Sequence, residues 1–196
     1  MCNTNLTDYE LVTRFVSGEQ SSIETLINRH KNRVYTYIVL LVKNEQLAED
    51  IFQDTFIKVI NSLKLGKYQD KGKFVSWVVR IAHNLIIDHF RREKNMNTIS
   101  NDQTELDIFN SSKFSDKTVE ENLINNQITN DVRKLIEELP EEQKEVVILR
   151  HYVGLSFKEI AENTGVSINT ALGRMRYALI NLRKLIHEKD LSLTVN

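Results

Sequence analysis

The 196-residue chain contains one cysteine, Cys2, so neither an internal disulfide nor a thiolate metal cluster can form. It has one proline and six glycines, and few runs alternate polar and apolar residues. That disfavours sheet and points to an all-α fold. The longest purely apolar run is Ile38 to Val42, far short of the roughly 20 residues a membrane span needs. No membrane insertion is therefore expected. The N-terminal MCNTNLTDYE lacks the basic-then-apolar order of a signal peptide, and a cytoplasmic location is expected. Hydrophobic residues make up 41% of the chain, enough for real cores.

Negative charge is also missing from one place. Asp and Glu number 27 in the chain, yet none lies between Asn163 and His187. Arg174, Arg176, Arg183 and Lys184 sit there instead. The formal net charge of −1 conceals a wider pattern. Residues 1–95 hold 14 Lys/Arg and 11 Asp/Glu, residues 96–130 hold 2 and 6, and residues 131–196 hold 10 and 10. A mildly basic block and a neutral block flank an acidic middle.

That middle, NMNTISNDQTELDIFNSSKFSDKT, is rich in Asn, Ser, Thr and Asp and has no sustained helical stripe. Residues 94–117 read as a flexible polar linker. They separate a helical domain, residues 1–93, from a second, residues 118–190, which leaves a tail at 191–196. In the first domain Ser21 and Glu24 suggest a capping box, and Leu26, Val34, Ile38 and Leu41 suggest buried positions. A helix over 45–63 places Phe52, Phe56, Val59, Ile60 and Leu63 on one side. Glu45, Glu49, Asp50, Gln53 and Asp54 gather on another. A helix over 74–92 carries Trp77, Ile81, Leu85 and Asp88 at helical repeats.

The second domain opens with a capping box at Thr118 and Glu121. Leu123, Ile128, Val132, Leu135, Ile136 and Leu139 follow at helical spacing. Pro140 ends that helix and starts the next, with Glu141 and Glu142 in the favourable first turn. Gly154 closes a helix ending near Tyr152, and Ser156 with Glu159 makes a further capping box. A short helix then carries Phe157, Ile160 and Ala161. Gly165 suits a tight turn with positive φ, and Ser167 is a natural N-cap. Ile168, Leu172, Met175, Leu179, Leu182 and Ile186 repeat as one expected buried stripe. Asn169, Thr170, Gly173, Arg176 and Tyr177, with Arg174 on the flank, are left for the other side. Two helices, a glycine turn and a small Ala161 at the crossing form a helix-turn-helix pattern. The missing acids then have a reason. A helix in a major groove meets phosphates on both sides, which repel carboxylates and attract Arg.

Three segments in this order resemble one family, the extracytoplasmic-function (ECF) sigma factors of bacterial RNA polymerase. AEDIFQDTFIKVI (Ala48–Ile60) resembles its core-polymerase-binding helix. KFVSWVVRIAHNLIIDHFRR (Lys73–Arg92) resembles its promoter-melting and −10-reading segment. ELPEEQKEVVILRHYVGLSFKEIAENTGVSINTALGRMRYAL (Glu138–Leu179) resembles its −35-reading domain. The resemblance implies a non-catalytic polymerase subunit. Glu49, Asp50, Gln53 and Asp54 would meet the β′ clamp, and the second domain the β flap. Trp77, Arg80, His83, Asn84, Asp88, Arg91 and Arg92 would meet −10 DNA, with Asn84 holding a flipped base. The −35 element would fall to Ser167, Asn169, Thr170, Gly173, Arg174, Arg176 and Tyr177. An anti-sigma factor is a possible partner. The chain departs from the family at Leu172 and Gly173, where a polar or charged pair is usual.

The mixture of rings and cations in Phe74–Arg92 suits unpaired strand on its own account, because bases stack on rings and phosphates meet cations. The alternative reading is a stand-alone helix-turn-helix regulator, which leaves Ala48–Arg92 without a role. An enzyme built on Glu49, Asp50 and Asp54 would lack a matching His or a phosphate loop. His83 and His89 are six residues apart and do not share a face. No cofactor and no metal are expected.

Overall fold

A computed structural model describes residues 6–69, 72–97 and 131–191. Every regular element among them is helical, and the chain divides into two compact units.

In the first unit α1 spans Asp8–Val16, α2 Ser21–Val42, α3 Glu45–Lys64 and α4 Phe74–Asn97. The sequence reading had not identified α1. Its N-terminus carries a complete capping box: the Glu10 amide donates to Thr7 Oγ1 (3.3 Å) and the Thr7 amide to the Glu10 carboxylate (2.7 Å). The box expected at Ser21 and Glu24 does not form. The chain enters α2 in helical conformation at Gln20, and the Ser22 and Ile23 amides bond the carbonyls of Glu19 and Gln20. A capping box needs an extended N-cap, so Ser21 Oγ instead donates to Glu19 (3.1 Å).

Leu26, Val34, Tyr37 and Ile38 of α2 are fully buried with Ala48 and Val59 of α3 and Val78, Val79 and Ala82 of α4. Leu41, Phe52 and Ile60 are only half-buried. In α4 the inward line is Phe74, Val78, Val79, Ala82 and Ile86, so Trp77, Ile81 and Leu85 lie half-exposed on its flank. The helix continues to Asn97, past the position where the linker was expected to start. The rest of that linker and the Thr118–Glu121 box lie outside the described residues.

In the second unit residues 131–137 form α5, and Leu135, Ile136 and Leu139 are buried. Pro140 (φ −51°, ψ 142°) is the N-cap of α6, Glu141–Ile148. Its ring has no N–H to leave unpaired at this position. A π-helical turn, Leu149–Val153, follows, and Gly154 (φ 85°) ends it. Helix α7 is Phe157–Thr164 and α8 is Ile168–Glu188. The Ser156–Glu159 box forms as expected, and Gly165 takes the left-handed conformation at φ 68°.

The stripe expected inside α8 is rotated. The residues buried there are Ala171, Met175 and Ala178. Ile168, Leu172 and Leu179 are 40–45% exposed, and Leu182 and Ile186 are half-buried. Helix α8 packs on α6 and α7, and the two alanines are completely buried. The large aliphatics flank that line.

Candidate polymerase and nucleic-acid interfaces

The acidic face of α3 is built by helical geometry. Ala48, Ile51, Thr55 and Val59 point inward, so Glu49, Asp50, Gln53 and Asp54 are all exposed. Asn44 starts the helix by accepting the Leu47 amide (3.0 Å). An aromatic border lies beside this face: Tyr35 meets Phe52 edge-on at 5.7 Å, and Phe52 meets Phe56 at 4.9 Å. Burial pushes the Tyr35 phenol up, and the Glu45 and Glu49 carboxylates add to that shift. Ile57, 55% exposed, lies one turn from Gln53 and Asp54. It is an interface candidate the sequence reading missed. Its signal was an apolar residue out of register with Phe56, Val59 and Leu63.

On α4, Trp77, Arg80, Asn84, Asp88 and Arg91 recur at steps of three and four and form one ridge. Arg80, Asn84, Asp88 and Arg91 are exposed, and Arg92 is exposed on the flank. Trp77 is half-buried in an aromatic cluster, with its ring 4.4 Å from that of Tyr68 and 5.9 Å from that of Phe74. Tyr68, from the α3–α4 connection, was not singled out in the sequence. Only the fold brings it over Trp77. His83 departs from the ridge. It turns toward α2, where its Nδ1 is 3.0 Å from the hydroxyl of buried Tyr37. The ridge can offer rings for stacking, an amide for a base edge and cations for phosphates.

On α8 the exposed side carries Asn169, Thr170, Arg176 and Tyr177. Ser167 is engaged as the N-cap: its hydroxyl accepts the Thr170 amide (3.0 Å) and contacts Thr170 Oγ1 (2.9 Å). Arg174, 25% exposed, lies 4.0 Å from Glu142 of α6. Gly173 has open space where a Cβ would stand. Asn181 of α8 donates to Gln143 of α6 (2.8 Å), and Lys189 bonds Glu138, so α8 is tied to the preceding helices. Among the described residues no group of three potential ligands could hold a metal ion. No described helix is long and apolar enough to cross a membrane.

Two family models match the chain, Sigma-70 region 2 over residues 26–96 and Sigma-70 region 4 over residues 129–177. RNA polymerase sigma factor CarQ of Myxococcus xanthus is 30% identical over 92% of this chain and 98% of its own. The ECF RNA polymerase sigma-E factor of Haemophilus influenzae is 27% identical over 94% and 95%. The fold matches that of the sigma factor RpoE from Bartonella quintana, solved with the anti-sigma factor NepR. That match has a TM-score of 0.69 at 19% identity, covering 84% of this chain and 96% of that one. The chain belongs to the sigma-70 family of RNA polymerase sigma factors, in its extracytoplasmic-function class. It directs core RNA polymerase to specific promoters and initiates transcription there.

Proposed function

We propose that three helices divide this work. The first domain, residues 1–93 with α4 continuing beyond it, holds core polymerase and opens the −10 element. The second, residues 118–190, reads the −35 element, and the polar segment between them spans the distance. The acidic face of α3, at Glu49, Asp50, Gln53 and Asp54, docks on a basic surface of the β′ clamp. The α4 ridge receives the separated −10 strand, with Trp77 as the stacking ring, Asn84 on a base edge, and Arg80, Arg91 and Arg92 on phosphates. Helix α8 enters the −35 major groove through Asn169, Thr170, Gly173, Arg176 and Tyr177, and the second domain also meets the β flap. An anti-sigma protein, of the kind bound to the Bartonella factor, is a further partner. The protein acts in the cytoplasm, beside polymerase and chromosome, and has no catalytic centre of its own.

The observation that carries this reading is the exposed side of α8, acid-free from Asn163 to His187 and begun by a tight glycine turn. The test is in vitro transcription with core polymerase over a randomised promoter library. Enrichment of two elements is expected, with the upstream one lost in Arg176→Ala. Nanomolar, sequence-specific binding by the free chain at physiological salt would instead mark a stand-alone regulator.

A further inference from the structure

Leu172 is 44% exposed on α8 and Ile168, one turn earlier, 45%. Water is an unfavourable environment for either side chain. Leu172 lies in line with Asn169, three residues before it, and Arg176, four residues after it, and both are exposed. It also lies in the N-terminal half of α8, the part of a recognition helix that reaches base edges.

We infer that Leu172 is a specificity residue that reads the 5-methyl group of a thymine in the −35 element. This inference rests on the assignment of α8 to the major groove made above. In that groove thymine presents the one apolar group among the base edges, and apolar side chains recognise it. Asn and Arg in the same row suit adenine and guanine edges. Leu172 would thus contact an A·T pair between two polar readers. A protein partner is the other class of occupant for exposed leucine. The surroundings favour DNA, since exposed Arg176 lies one turn away and no acid lies between Asn163 and His187, although Arg174 is 4.0 Å from Glu142 of α6. Leu179, 40% exposed, continues this side of α8 two turns further from the N-terminus, beyond the half of the helix that reaches base edges.

The test uses holoenzyme assembled with the full chain. A −35 element selected from a randomised library has each thymine replaced in turn by deoxyuridine, which removes only the methyl group. At one position wild-type holoenzyme should lose about fourfold in promoter binding, which is what burial of one methyl group is worth. Leu172→Ala should show a similar loss on the thymine promoter and no response to deoxyuridine there. Leu172→Arg should shift the preference at that position toward guanine. Wild-type holoenzyme that selects a −35 element yet tolerates deoxyuridine everywhere would overturn the thymine contact and leave the groove assignment intact. Absence of any −35 preference would overturn both. Leu172→Ala that weakens thymine and deoxyuridine promoters alike, with reduced binding to core polymerase, would assign this residue to a protein contact instead.

Discussion

The hydroxyl of Tyr37 lies 3.0 Å from Nδ1 of His83 and joins the buried face of α2 to α4. Tyr37 is completely buried, so its hydroxyl needs a partner inside the protein. The contact holds the imidazole at the base of the α4 ridge. Tyr37→Phe should therefore lower stability by about 0.5–1.5 kcal/mol, the net worth of one such bond. Thermal unfolding of the two proteins measures it, and an unchanged midpoint would show that the contact contributes nothing.

Charge reversal at Asp50 and Asp54 should abolish association with core polymerase. Both residues are exposed on α3, so the fold should survive. Like charges brought together at an interface cost several kcal/mol. The assay is comigration of the double Lys variant with core enzyme on a sizing column. Retained comigration would remove this helix from the contact.

Asn84→Ala should relax the base preference at one position of the −10 element. Loss of a base-edge contact removes about 1–3 kcal/mol of discrimination. Transcription from promoters varied at each −10 position reads it out. A uniform decline at every promoter would point to folding instead.

Acid should remove one support of the first unit. The Asp8 carboxylate accepts from Arg29 Nη1 (2.6 Å) and faces the ring nitrogen Nε2 of His30 at 2.9 Å, which ties α1 to α2. Burial works to raise the pKa of Asp8. The bonds and charges of His30 and Arg29 outweigh it and hold the group below its ordinary value. A carboxyl depressed on folding stabilises the protein above its unfolded pKa of about 3.9 and loses that effect as pH falls through the folded value. Asp8→Asn should melt lower than wild type at neutral pH. The gap should close below about pH 4, and a gap independent of pH would refute the linkage.

Gly173→Gln should fold, bind core polymerase and lose −35-dependent transcription. Apart from the neighbouring helix backbone, no atom lies within 4 Å of where its Cβ would stand, so a side chain can leave the helix there without a clash. Gly173→Ala should stabilise the domain by about 1 kcal/mol, because mid-helix glycine is costly. Normal −35 preference in the Gln variant would displace Gly173 from the groove.

The Ser156–Glu159 box and the glycine turn were legible along the chain because they depend on near neighbours, although α1 with its Thr7–Glu10 box was not identified and the box expected at Ser21 and Glu24 does not form. Ser167 caps its helix through an amide three residues away, and Gly165 turns because only its own backbone must take positive φ. The acidic face of α3 was legible for the same reason, since helical periodicity alone gathers its carboxylates. The inward side of a helix was not. Counting large aliphatics put Ile168, Leu172 and Leu179 inside α8, but the residues buried there are Ala171, Met175 and Ala178. In α4 the inward line is Phe74, Val78, Val79, Ala82 and Ile86, and Trp77, Ile81 and Leu85 lie on its flank. Which line of a helix faces inward depends on partners distant in the chain. Tertiary packing also set Tyr68 over Trp77 and His83 against Tyr37. These pairings join separate elements, so no local pattern could specify them.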